Sequence, residues 1–162
     1  MAWGKNGTPK ILTVSGDTIT ISDLTSKVFN HLSSYLIQKT GNIRAAFRIG
    51  NGSIDSGTNY SNTDGENGAA HTGSTSQTYH KTSGSNGYNG FVISHSVNPS
   101  SKEKLFISFY AGANAVGAGN PPTRMESSGK STLSSQYDQI QKYNDQAGDY
   151  DVDSWLFGIS TD

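Results

Sequence analysis

The stretch from Phe91 to Tyr110 constrains the fold more than any other part of the chain. Phe91, Ile93, His95 and Val97 alternate with Val92, Ser94 and Ser96, and Leu105, Ile107 and Phe109 alternate with Phe106, Ser108 and Tyr110. Period-two alternation places successive side chains on opposite faces of a strand. Asn98-Pro99-Ser100-Ser101 between the two runs supplies turn residues, so the segment predicts an antiparallel hairpin. A hairpin needs more sheet around it to be stable, and the rest of the chain must provide it.

The material for doing so is sparse. Ser, Gly, Thr and Asn make up 71 of 162 residues, whereas Leu, Ile, Val and Phe supply only 30. Such a composition suggests disorder when net charge is high, but here the formal charge is −1, so a polar chain with a thin core can still fold. The length fits one domain, since two would divide too few apolar residues. The expected organisation is an N-terminal arm, 1–9, followed by a single domain, 10–162. Neither nucleic acid nor membrane is expected as a partner, because Lys and Arg do not cluster and no apolar run approaches the ~20 residues of a membrane helix. Without cysteine there are no disulfides, thiolate metal sites or Cys nucleophile.

Further elements follow from local pattern. Lys10 to Val14 and Thr18 to Ile21, joined through Gly16-Asp17, predict an N-terminal hairpin. Leu24, Val28, Leu32, Tyr35 and Leu36 recur at three- and four-residue spacing between a capping Ser22 or Asp23 and a stopping Gly41, which predicts one amphipathic helix over about 23–39. A strand is expected over 43–49, and short strands near 57–61 and 75–82 inside the polar region 50–90. Pro121-Pro122 forbids helix and disfavours a central strand, and the segments 136–143 and 154–159 predict closing strands. Short strands without βαβ alternation point to a mainly β protein, an antiparallel jelly-roll-like β-sandwich with one N-terminal amphipathic helix.

Chemistry is weakly signalled. The four histidines, His31, His71, His80 and His95, form no ligand pair at metal-binding spacing, and no Gly-x-Ser-x-Gly is present. His95 shares a face with Phe91, Ile93 and Val97, which suits an inward or interface histidine better than a base. No cofactor is expected. Asp149, Asp151 and Asp153 alternate as at the start of a calcium loop, but the following Gly and distal Glu are missing, leaving them weak calcium candidates. Tyr60, Tyr79 and Tyr88 lie among Asn and Asp and are candidates for stacking on a glycan.

A series of motifs adds to this reading: Met1 to Pro9, Asp23-Leu24-Thr25, Phe47-Arg48, Gly57-Thr58-Asn59-Tyr60-Ser61, Gly117 to Glu126, Tyr137-Asp138-Gln139-Ile140, and Gly148-Asp149-Tyr150 with Ser154 to Ile159. Together they resemble small β-sandwich virion structural proteins of tailed, often marine, phages, of decoration, capsid-associated or tail-fibre type. The resemblance implies a non-enzymatic subunit made in the host cytoplasm and built into the virion. It would associate with itself and other virion proteins, with binding to a host surface glycan as the alternative. A thin core agrees, because burial between subunits would supply stability the interior lacks. The candidate contact residues are Trp3, Lys5 and Asn6 in the arm, Asn59 and Tyr60 in a loop, and Pro121, Pro122, Arg124 and Glu126.

Overall fold

The computed structural model describes residues 3–83, 89–113 and 117–161. These form fifteen strands: β1 Gly4–Lys5, β2 Lys10–Ile11, β3 Thr18–Ile21, β4 Phe29–Leu36, β5 Gln38–Thr40, β6 Ala46–Gly50, β7 Tyr60–Glu66, β8 Thr72–Gln77, β9 His80–Lys81, β10 Gly90–Val97, β11 Lys104–Gly112, β12 Thr123–Ser131, β13 Gln139–Tyr143, β14 Asp149–Tyr150 and β15 Trp155–Thr161. A large sheet runs β1-β15-β4-β10-β11-β12-β7-β8, with β2 also on β15. A small sheet runs β3-β13-β6-β9, and β5 pairs with β14. Every pairing is antiparallel, and the arrangement is consistent with a β-sandwich.

The two sheets enclose the core. Ile19, Ile21, Phe47, Ile49 and Ile140 from the small sheet meet Leu32, Leu36, Val92, Phe106, Tyr110, Met125 and Leu156 from the large one, all buried. Phe47 and Phe106 meet edge to face across the layers, with centroids 5.1 Å apart at 82°, an arrangement that suits the ring quadrupoles. The 91–110 hairpin forms as expected: β10 and β11 pair from Gly90↔Gly112 to Val97↔Leu105. Its turn is stapled by Lys104, whose ammonium donates to the carbonyls of Pro99 and Lys102 at 2.7 and 2.6 Å and of Ser134 at 3.2 Å.

Three expectations are corrected. The helix over 23–39 is absent: residues 29–36 form β4, a central strand between β15 and β10. The spacing that suggested a helix is ambiguous, because Leu32 and Leu36, four apart, also share one face of a strand, and β4 buries Asn30, Leu32, Ser34 and Leu36 on that face. The N-terminal hairpin is absent too, since β2 pairs with β15 whereas β3 pairs with β13. Finally, the residues after Pro121-Pro122 form β12, which lies between β11 and β7. The prolines precede the strand and take nothing from its ladder.

Candidate functional site

The sequence-derived contact residues scatter. Trp3 and Lys5 are exposed, but Asn6 is buried and ties the arm to its own domain. Its backbone N–H donates to Gly158 at 2.9 Å, its side chain donates to Thr25 O at 3.0 Å and Asn30 Oδ1 at 3.1 Å, and it accepts from Thr25 N–H at 2.7 Å. Residues 4–6 therefore edge the large sheet of their own chain. Asn59 is exposed and donates to Asp55, while Tyr60 is 1 % exposed and lies in the core. The Tyr60 hydroxyl accepts from Ile49 N–H at 2.9 Å, and burial holds it neutral well above the usual phenol range. Pro121, Pro122 and Arg124 are exposed at one end of β12, with Arg124 3.7 Å from Glu126.

Three of the glycan and calcium candidates, Tyr60, Tyr79 and Asp151, are engaged within their own chain. Tyr60 is sealed, and Tyr79 donates its hydroxyl to Asp145 while accepting from Arg44, so neither presents a free ring-and-hydroxyl platform. Tyr88 lies outside the described residues. Asp151 is occupied by Ser15 Oγ at 3.0 Å and the Val152 N–H at 2.9 Å, and among the described residues no three His, Cys, Asp or Glu side chains converge to hold a metal ion.

Between the sheets lies a polar network that the sequence did not signal. His80 Nδ1 is 2.6 Å from Asn62 Oδ1, His80 Nε2 is 3.2 Å from Ser108 Oγ, and Ser108 Oγ is 2.8 Å from Ser94 Oγ. The constellation has the residue types of a nucleophile, base and orienting amide. Yet His80, Asn62, Ser94 and Ser108 are all buried, and burial depresses the imidazole pKa to about 3. A sealed, neutral histidine specifies how the layers register; it offers no face to a substrate. Gly129 makes room for it, since a Cβ there would lie 2.2 Å from His80 Nδ1. Nearby, Lys142 is fully buried over the Phe47 ring, 5.3 Å from its centroid, and its Nζ has no hydrogen-bond partner among the described residues.

The large sheet mixes polar groups into its inner face and carries apolar ones on its outer face. Across β15, β4, β10 and β11 the outward positions form four rows in register: Trp155, Tyr35, Phe91, Ala111; Phe157, Ser33, Ile93, Phe109; Ile159, His31, His95, Ile107; Thr161, Phe29, Val97, Leu105. Twelve of these sixteen are apolar or aromatic and none is Asp, Glu, Lys or Arg, whereas the inward face carries Ser34, Ser94, Ser96, Ser108, Ser160 and Asn30 on the same strands. Leu105 and Ile107 are each 55 % exposed and Phe109 49 %. Strands about 4.8 Å apart with same-face residues about 6.8 Å apart make this field roughly 500 Å² of sheet. That is toward the upper end of the largest apolar patch on a typical monomer, about 300–600 Å², a feature that is often functional. Trp3, Phe29, Val97, Leu105 and Ile107 border a shallow depression of about 390 Å³ at its corner. The field ends at β12, whose outward Arg124, Glu126, Ser128 and Lys130 are polar.

Near the middle of this field His31 and His95 face each other across β4 and β10. Their Nδ1 atoms are 3.4 Å apart, and His31 Nε2 is 3.0 Å from Ser33 Oγ. Partial burial, and secondarily the neighbouring His95, lower the His31 pKa. No protein-family model, curated protein or solved structure matches the chain.

Proposed function

We propose that this protein is a non-enzymatic structural subunit that associates with copies of itself through the outer face of the large sheet. The observation that carries the proposal is the uncharged apolar field on β15, β4, β10 and β11, flanked on the β12 side by polar residues. Two such faces would bury on the order of 1,000 Å² between them, where specific interfaces begin. A chain that turns Ile107 and Phe109 to water while enclosing Ser94, Ser108 and a lysine gains more from association than from solitude. Self-association of a small jelly-roll-like sandwich fits the resemblance to tailed-phage virion proteins, so the setting proposed is the particle: decoration, coat or tail, beside other virion proteins.

Sedimentation velocity over a wide concentration range tests the contact. The wild type should form dimers or larger assemblies, and Ile107→Asp, which introduces a charge at an exposed position, should sediment as a folded monomer. A wild type that stays monomeric at every concentration would refute the reading. Mass spectrometry of purified particles tests the setting.

A further inference from the structure

The histidine pair in the apolar field brings two ring nitrogens within reach of one shared partner. His31 Nδ1 and His95 Nδ1 are 3.4 Å apart, a long contact for a hydrogen bond. Two nitrogens bound tetrahedrally to one zinc ion at 2.0–2.1 Å are separated by about 3.3 Å. The rings are tilted at 59° with centroids 4.7 Å apart, so they are not stacked face to face. Ser33 Oγ, 3.0 Å from His31 Nε2, can accept that nitrogen's proton and leave Nδ1 unprotonated, as a metal-bound histidine donates its other ring N–H to a neighbouring oxygen.

We propose that His31 and His95 form half of a transition-metal site, a zinc-class ion held between two copies of this chain, each supplying one pair. The self-association reading is its foundation. The pair stands on β4 and β10, the two central strands of the four-strand field, and in one of its two middle rows. When identical faces meet about a twofold axis, residues nearest the patch centre meet their own counterparts. Stacked sheets lie about 10 Å apart, so the midplane is about 5 Å above each sheet, within an imidazole's reach. Four neutral nitrogens satisfy a tetrahedral borderline ion, and the lack of carboxylates in the field disfavours calcium or magnesium.

Zinc sulfate added to the purified full chain tests this, read by calorimetry and sedimentation together. The expected result is one zinc per two chains, with the dimer tightened by at least about tenfold and the effect reversed by EDTA. His31→Phe and His95→Phe retain an apolar face without the ligand, so they should associate as the wild type does in EDTA and lose the zinc response. No zinc binding, binding unchanged in both variants, or binding at one ion per chain without effect on association would each overturn the proposal. Association in EDTA that zinc does not alter sinks the metal bridge and spares the self-association reading. Assembly seen only with zinc supports the metal bridge and shows that the apolar face by itself does not hold two copies together.

Discussion

Replacing Lys142 by Met should stabilise the protein, and the gain should vanish in a defined way as pH rises. The ammonium is fully buried, packs over Phe47 and lacks a hydrogen-bond partner among the described residues; burial lowers its pKa from 10.5 to about 7. Below pH 7 both folded and unfolded chains hold the proton, and the penalty is constant at about 5 kcal/mol. Between pH 7 and 10.5 the unfolded chain binds the proton and the folded chain does not, so stability rises by about 1.4 kcal/mol per pH unit. Above 10.5 the penalty is gone. Tyr60, Tyr137 and Tyr150, all raised by burial, act oppositely, because unfolding lets them ionise above about pH 10. The window in which the tyrosines do not interfere is therefore pH 7 to 9.5. Urea unfolding followed by far-UV circular dichroism at fixed low protein concentration should show the wild type gaining about 3 kcal/mol across that window from Lys142 and Lys142→Met losing most of that rise, the remainder coming from Lys104, whose pKa burial also lowers. The variant should lead at pH 7 by several kcal/mol, since Met fills similar volume without a charge. A flat wild-type profile, or an equal slope in the variant, would refute the reasoning.

Other perturbations address the interior network and the face. The His80 pKa of about 3 predicts that stability falls as pH drops from 6.5 toward 3, because only the unfolded chain takes up the proton there; Lys142→Met should keep this acid limb in the same assay. Gly129→Ala places a Cβ 2.2 Å from His80 Nδ1 and 2.9 Å from Asn62 Oδ1 and should cost about 3 kcal/mol, measured as a lower urea midpoint. Asn98 donates to Lys27 O and Tyr137 O and accepts from Tyr137 N–H while fully buried, so Asn98→Ala should cost about 3 kcal/mol by stranding those groups. Ile107→Asp should leave the melting temperature within a few degrees yet abolish concentration-dependent sedimentation.

Much of the β architecture was legible because alternation is local. The 91–110 hairpin and the closing strands at 139–143 and 155–161 lie where their patterns put them. The hairpin between β7 and β8 was not read from the sequence, where the strands were expected near 57–61 and 75–82; it turns at Asn67-Gly68, both with positive φ, 51° and 82°, and Ala69 N–H closes the turn on Glu66 O, the chemistry of a tight hairpin. β4 was not legible as a strand, because four-residue spacing is shared by the two periods and only pairing with β10 and β15 decides between them. β12 was obscured by its polarity: Thr123, Ser127 and Ser131 are buried by neighbours that their own side chains do not announce. Lys142 likewise looks like a surface residue in Ile140-Gln141-Lys142-Tyr143 until the sheets close over it.

The chain by itself determined that it would be antiparallel β, cysteine-free and poor in core, and that Phe91, Ile93, His95 and Val97 would share a face. Which face turned inward was decided only by tertiary structure. Alternation sorts side chains into two sets and is silent about the sign, and here the sets bearing Ser94, Ser108, Val92 and Phe106 turn inward while those bearing Phe91, Ile93, Ile107 and Phe109 look out. Burial energy depends on what lies opposite a sheet. The strands that lie opposite here, β3, β6, β9 and β13, come from distant segments that no local pattern brings together.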